Sequence, residues 1–191
     1  SPAPVMNESL RSRMGEAAKA AVRAAGYYNV GTIEFLVDEQ GNFYFMEMNT
    51  RIQVEHPVTE TVTGVDIVKT QLAIAQGKRL GLRQEEITMQ GHAIECRINA
   101  ENPALDFRPS PGEISSLYMP GGPGVRIDSA VYAGYTIPPY YDSMIAKLIV
   151  HAATRREAIM KMRWALAEFL VEGVDTNIDF QLSLLHNKEF T

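Results

Sequence analysis

An alternating run of polar and apolar residues between Phe43 and Pro57 constrains the fold of this chain more than any other stretch. Alternate side chains of an extended strand point to opposite faces. The pattern therefore predicts a strand to about residue 55, with one core face and one polar face. The polar face is made of Glu47, Asn49, Arg51, Gln53 and Glu55. A half-buried strand whose polar residues only face water shows the same alternation, so alternation alone does not establish a site.

The residues just before this run indicate a β-hairpin. Two apolar runs enclose a polar turn cluster at residues 39–42, which is typical of two strands joined by a short loop. If those four residues form the loop, Phe35 pairs with Met46 and Glu34 lies opposite Glu47. The hairpin therefore predicts two carboxylates side by side on one face.

Directly opposed carboxylates destabilise a sheet unless something compensates their charge. Either one carboxyl keeps its proton, or a cation lies between the two. Carboxylate and amide oxygens are the ligands of Mg²⁺, and Asn49 follows Glu47 on the same predicted face, so we favour a metal. Mg²⁺ held by one or two carboxylates usually takes further ligands from phosphates, which points to nucleotide chemistry.

Composition excludes several classes of protein. The chain has 191 residues, a net charge of −5 and a pI near 5.4, which argues against a general nucleic-acid binder. Its single cysteine, Cys96, excludes a disulfide framework and fits a reducing compartment, so we expect a cytoplasmic protein. Cys96 falls on the apolar side of the alternating residues around it, and we therefore expect it to pack in the core. No stretch approaches the ~20 apolar residues that cross a bilayer. The start at Ser1 without methionine suggests a piece of a longer protein.

The rest of the chain reads as alternating helices and strands with a boundary near Gly91. Arg126 follows a glycine-rich loop at residues 120–124, and such an arginine is usually a solvated surface charge. Periodicity and caps predict helices at 7–26, 59–76, 154–173 and 176–185, and strands at 92–100, 113–119, 125–128 and 144–150. Asn7 can cap the first of these helices, and Thr154 and Glu157 have the spacing of a capping box at the start of the third.

Several motifs together resemble the biotin carboxylase family of ATP-grasp enzymes. The resemblance begins at Glu34 and at Glu47–Pro57, which reads EMNTRIQVEHP, and it covers almost the whole chain. It continues through GHAIECRINAE at 91–101, PSPG at 109–112, PGG at 120–122, YAGY at 132–135 and PPYYDSM at 138–144. A carboxylate pair with an asparagine would indicate only some ATP-grasp ligase, whereas the later motifs are far more specific.

The resemblance implies an α+β fold in two parts. Residues 1–91 would be the C-terminal half of an ATP-grasp domain, an antiparallel sheet with packed helices, and residues 92–191 the biotin carboxylase C-terminal α+β domain. The family's glycine-rich lid and its ATP-contacting lysines would precede Ser1. We therefore expect the chain alone not to turn over ATP, an expectation that sustained hydrolysis dependent on biotin and bicarbonate would contradict.

The resemblance also implies a nucleotide site. Glu34 and Glu47 would hold the two Mg²⁺ or Mn²⁺ ions that accompany ATP, with Asn49 beside them. Leu36 matches an apolar residue that packs under the adenine.

A second set of roles concerns bicarbonate and biotin. Arg51, Gln53 and the backbone of Val54 would hold bicarbonate, and a guanidinium suits that planar oxyanion. Glu55 would be the general base that removes the bicarbonate proton before attack on the γ-phosphate. Arg126 would stabilise the biotin enolate.

The implied activity is ATP-dependent carboxylation of biotin on a carrier protein through carboxyphosphate, as in the first half-reaction of acetyl-CoA carboxylase of fatty acid biosynthesis. Biotin carboxyl carrier protein, a carboxyltransferase and a second copy in a homodimer would be the partners, with neither nucleic acid nor membrane involved. Two alternatives stay open. One is another bicarbonate-using ATP-grasp ligase of the carbamoyl-phosphate type, and the other is a non-catalytic assembly fragment.

Overall fold

The computed structural model of the chain describes residues 1–191, which divide into two units, Ser1–Met89 and Gln90–Thr191. Each unit combines helices with antiparallel strands, which confirms the predicted α+β class. None of the helices has the length and apolar character that a membrane crossing would need.

The first unit opens with helix α1, Glu8–Ala24. The Asn7 side chain accepts a hydrogen bond from the backbone N–H of Leu10 at 2.9 Å and so satisfies one of the free donors at the helix start, as predicted. Leu10 is buried, and the helix ends just before Gly26, whose φ of +62° suits a glycine.

The long helix predicted over residues 59–76 is wrong, because the chain forms two helices there. These are α2, His56–Thr63, and α3, Ile67–Ala75. Gly64 takes a left-handed φ of +71° and ends α2, and the Asp66 side chain then caps α3 by accepting from the Lys69 N–H at 2.7 Å. The apolar spacing is continuous across the break, which is why periodicity alone did not detect it.

The predicted hairpin is present as strands β1, Thr32–Val37, and β2, Phe43–Asn49, and Glu34 pairs with Glu47 as expected. The pairing of the neighbouring residues differs from the prediction, since Phe35 pairs with Phe45 rather than with Met46. The backbone N–H of Asp38 donates to the Asn42 carbonyl at 2.9 Å, which leaves a three-residue loop at 39–41, one residue shorter than predicted. A bulge between the Glu34 and Phe35 pairs inserts one extra residue on β2. The two differences cancel, so the carboxylates still face each other.

The second unit is built on a three-stranded antiparallel sheet in the order β3, β10, β8. Its elements along the chain are β3 (His92–Asn99), β4 (Glu101–Asn102), β5 (Arg108–Pro109), β6 (Gly112–Glu113), β7 (Ser116–Tyr118), β8 (Val125–Ser129), β9 (Thr136–Ile137), β10 (Met144–Ala152), α4 (Arg155–Glu168), β11 (Leu170–Glu172) and α5 (Ile178–His186). The short strands pair as β4 with β5, β6 with β9 and β7 with β11. The strand predicted over 113–119 is therefore two strands with different partners.

Helix α4 covers one face of this sheet and supplies much of the core. It starts with the predicted capping box, in which Thr154 and Glu157 each accept a hydrogen bond from the other's backbone N–H at 3.2 Å. It ends at Glu168 instead of the predicted Gly173, because the next residues pair with β7. The most buried core side chains include Ile98, Ile114, Leu148, Val150, Met162 and Leu166.

Cys96 is buried in this core, as predicted, and should be chemically inert in the folded chain. Burial, reinforced by the neighbouring Glu95 carboxylate, raises the pKa of the Cys96 thiol to about 12. Because the thiolate is the reactive form, we expect labelling by Ellman's reagent at pH 8 to be slower by roughly a hundredfold or more in the folded chain than in denaturant. A Cys96→Ser variant gives the blank, and equal rates in both states would contradict the assignment.

Candidate functional site

Asn49 connects the two opposed carboxylates of the hairpin. Its amide nitrogen donates to an oxygen of Glu34 at 3.0 Å and to an oxygen of Glu47 at 2.8 Å. Its amide oxygen accepts from the Arg51 guanidinium at 3.2 Å, which fixes the orientation of the amide. The hairpin thus relieves the opposed negative charges with a shared hydrogen-bond donor, a solution that the sequence argument did not consider.

The predicted strand through Glu55 is wrong, because β2 ends at Asn49 and the chain then turns. The physical reason is the start of α2, where Pro57 occupies the first turn and the His56 N–H donates to the Gln53 carbonyl at 3.2 Å. An extended segment would have carried residue 53 about 13 Å beyond Asn49 along the strand. The turn instead brings the Gln53 side chain back to the carboxylates.

Gln53 joins the same network through its amide nitrogen, which donates to the Glu34 carboxylate at 2.8 Å. It shares that oxygen, Oε1, with the Asn49 amide. Arg51 donates through its other terminal nitrogen to the Ile52 carbonyl at 3.2 Å. Four of the predicted site residues, Glu34, Glu47, Arg51 and Gln53, are therefore connected by hydrogen bonds, with Asn49 at the centre.

Val54 and Glu55 lie in the turn that follows Gln53 and precedes α2. Glu55 is exposed and occupies the N-cap position of α2, but its side chain makes no capping hydrogen bond.

Leu36 lies on β1 two residues after Glu34, and its side chain is 61% exposed. Residues two apart on a strand share a face. The hairpin face that carries the carboxylates thus also carries an exposed apolar side chain, which pairs across the hairpin with Tyr44.

The donor set at the hairpin fits a hard divalent cation only with help from a substrate. An oxygen of Glu34 and one of Glu47 approach the Asn49 amide nitrogen within 3.0 Å, so both carboxylates point into one space, while the Asn49 amide oxygen accepts from Arg51. No group of three or more Asp, Glu, His or Cys residues that could hold a metal occurs in the structure. Two carboxylates leave several coordination positions, which phosphate oxygens and water fill in typical Mg²⁺ sites.

In the second unit, Arg126 lies on β8 and forms a two-pronged ion pair with Asp128 on the same strand. Its Nε and Nη2 atoms donate to the two carboxylate oxygens at 2.8 and 2.9 Å. Lys147 lies directly opposite Asp128 on β10, and its ammonium is 3.4 Å from the carboxylate. The Arg126 hydrogen bonds, with the charges of both cations, hold the pKa of Asp128 below its ordinary value.

Sequence reasoning did not identify Asp128 or Lys147 as residues of a site. The available signal was the spacing, because Arg126 and Asp128 are two residues apart in a predicted strand and so share a face. The pairing of β8 with β10, which brings Lys147 to the same place, has no local signal.

Comparison with known protein families assigns both parts of the chain. Residues 95–191 match the model of the biotin carboxylase C-terminal domain. Residues 1–83 match the model of the ATP binding domain of the carbamoyl-phosphate synthase L chain.

Curated relatives match over the full length of this chain. Biotin carboxylase 1 of Bacillus subtilis is 56% identical over 191 residues, which are 100% of this chain and 42% of the relative. The chloroplastic biotin carboxylase of Arabidopsis thaliana is 52% identical over 189 residues, which are 99% of this chain and 35% of the relative. The chain thus spans less than half the length of the curated relatives that it matches.

Solved structures agree closely with this fold. The biotin carboxylase domain dimer of the Hydrogenobacter thermophilus 2-oxoglutarate carboxylase, in complex with MgADP, ADP and bicarbonate, superposes with a TM-score of 0.97 at 50% identity. A Campylobacter jejuni biotin carboxylase in a β-γ-ATP complex gives 0.95 at 49% identity. Each match covers 100% of this chain and 42% of the other. With a C-terminal domain model over half of its length and these relatives over all of it, the chain belongs to the biotin carboxylase family.

Proposed function

We propose that this chain is the C-terminal part of a biotin carboxylase that uses ATP and bicarbonate to carboxylate biotin on a carrier protein, the first half-reaction of an acetyl-CoA carboxylase. The observation that carries the proposal is the hydrogen-bonded network of Glu34, Glu47, Asn49, Arg51 and Gln53. A neighbour at 50% identity is described with MgADP and bicarbonate bound, the two ligands that this network suits.

In this proposal residues 1–91 complete an ATP-grasp domain and residues 92–191 form the C-terminal domain. Two features of the first unit support a role as part of a larger sheet. Its hairpin is an isolated two-stranded sheet, which is marginally stable alone in water. Tyr44, Phe45 and Met46 on β2 are also largely exposed.

The nucleotide end of the site would consist of Glu34, Glu47 and Asn49. Their oxygens would bind Mg²⁺ or Mn²⁺, and two such ions with ATP would neutralise the phosphate charges. Leu36 offers the adenine an exposed apolar surface on the same face of the hairpin.

The bicarbonate end begins where the strand stops. Arg51 supplies a planar cation, Gln53 supplies an amide, and the Val54 backbone lies in the turn between Gln53 and Glu55. Glu55 would accept the bicarbonate proton as an oxygen of bicarbonate forms a bond to the γ-phosphorus and the bond from that phosphorus to ADP breaks. The product would be carboxyphosphate, which would release CO₂ and phosphate.

Arg126 would stabilise the enolate of biotin once the ureido nitrogen has lost its proton to phosphate, and CO₂ would then add to that nitrogen. A fixed positive charge suits an anion that exists only during the reaction. Biotin carboxyl carrier protein and a carboxyltransferase would be the partners, and the dimer described for one neighbour supports a homodimer.

A carbamoyl-phosphate type of ligase is the second candidate, because the model matching residues 1–83 carries that name. The match of residues 95–191 to the biotin carboxylase C-terminal domain favours the first candidate. Dependence of ATP hydrolysis on biotin separates the two.

The metal assignment predicts a binding defect that does not depend on turnover. We expect Glu34→Gln and Glu47→Gln each to weaken Mn²⁺ binding to the chain in the presence of ADP at least about tenfold, because each removes a charged ligand oxygen. Electron paramagnetic resonance of free Mn²⁺ measures the affinity, and sedimentation records the state of assembly.

The matched control is Glu39→Gln, an exposed glutamate in the loop of the same hairpin, which should bind Mn²⁺ like the parent chain. An assembly fragment without a metal site would be indifferent to all three changes. That result would overturn the nucleotide-site assignment.

A further inference from the structure

Two neighbouring side chains hold Arg126 in place. The Asp128 carboxylate binds its guanidinium, and the Lys147 ammonium lies close to that carboxylate. The two hydrogen bonds to Asp128, at 2.8 and 2.9 Å, use parallel donors of the guanidinium and both carboxylate oxygens. Such a two-pronged pair determines the plane of the guanidinium as well as its position. Arg126 is about two-fifths exposed and Asp128 less than one-third, so the pair lies at the surface of the sheet.

Lys147 completes the arrangement from the neighbouring strand. Its side chain is only 14% exposed, and its ammonium is 3.4 Å from Asp128 Oδ2, the oxygen that also accepts from Arg126 Nη2. Asp128 therefore interacts with two cations, and the three side chains keep a net charge of +1. A carboxylate with a single arginine would cancel its charge, whereas the added lysine leaves the group attractive to an anion.

We propose that Asp128 and Lys147 are positioning residues that set the orientation of Arg126 for its anionic ligand. The inference rests on the proposed role of Arg126 toward biotin and deepens it. Asp128 and Lys147 act only through Arg126, so they stabilise the developing anion indirectly. Their loss should therefore lower kcat for biotin carboxylation and change KM for biotin much less.

The test uses the complete enzyme, meaning the biotin carboxylase of which we propose this chain to be the C-terminal part. We expect Asp128→Asn to lower kcat about 10- to 100-fold, because a misplaced arginine no longer matches the enolate. Asp128→Glu keeps the carboxylate and should recover activity to within about fivefold of the parent enzyme. Lys147→Met should give a smaller loss than Asp128→Asn. Asp106→Asn is the matched control, since Asp106 is exposed and its φ of +55° also suits asparagine.

A double-mutant cycle distinguishes positioning from a general structural role. In an Arg126→Ala background, Asp128→Asn should cause less than about a twofold further loss, because the residue through which it acts is gone. An equal loss in both backgrounds would overturn the proposal, as would kcat within twofold of the parent for Asp128→Asn. If Arg126→Ala itself has no effect on biotin carboxylation, the proposed role of Arg126 fails instead. The two failures are therefore separable.

Discussion

Replacing Glu55 by Gln in the complete enzyme should lower bicarbonate-dependent ATP hydrolysis by about 10²- to 10⁴-fold, the contribution typical of a positioned general base. The amide keeps the size of the side chain and cannot accept the bicarbonate proton. Nucleotide affinity should stay within about twofold of the parent enzyme, because the proposed metal ligands, Glu34 and Glu47, are untouched. Initial-rate kinetics measure the first quantity and titration calorimetry with ADP measures the second.

The structure makes this substitution easy to interpret. The Glu55 side chain makes no hydrogen bond to the start of α2, so Glu55→Gln removes no helix cap. Glu39→Gln in the hairpin loop is again the control and should leave the rate unchanged. A rate within threefold of the parent for Glu55→Gln would rule out the base role, and a parallel loss of ADP binding would point to structural damage.

Gly173→Ala should be the most damaging single-methyl change in the second unit. Gly173 has φ of +98°, and a Cβ atom there would lie 2.1 Å from the Glu113 carbonyl oxygen and 2.9 Å from the Ser115 nitrogen. Both neighbours are backbone atoms beside the ladder of β7 and β11, so neither can move as a side-chain end could. Backbone strain and overpacking together should lower the free energy of unfolding by about 2 to 5 kcal/mol.

Two other glycines separate the cost of backbone strain from the cost of overpacking. Gly134 has φ of +89°, but no neighbouring atom lies within 4 Å of the position that a Cβ would take, so Gly134→Ala should cost only about 1 to 2 kcal/mol of strain. Gly121 has neither feature, and Gly121→Ala should stay within about 0.5 kcal/mol of the parent. Urea unfolding followed by the fluorescence of Trp164, the single tryptophan, measures all three. Equal stability of the Gly173 and Gly121 variants would contradict the close approach.

The hairpin loop illustrates how far local signals carry. The predicted four-residue loop was wrong because the Asp38 carboxylate accepts hydrogen bonds from the N–H groups of Gln40 and Asn42, which tightens the turn. Gly41, with φ of +77°, was the available signal, since three-residue hairpin loops place a left-handed residue there. The bulge that restores the register on β2 had no comparable local signal.

The amino-acid sequence by itself determined the β-hairpin and the capped starts of α1 and α4, because turns and caps depend on residues close together along the chain. The predicted opposition of Glu34 and Glu47 is correct only because the shorter loop and the bulge on β2 cancel. Only the tertiary structure decided that the chain turns after Asn49, so that Gln53 returns to Glu34, and that β10 brings Lys147 to the Arg126 and Asp128 pair. Both arrangements join residues distant in sequence. Their geometry depends on how strands and turns pack, which a periodic pattern along the chain does not specify.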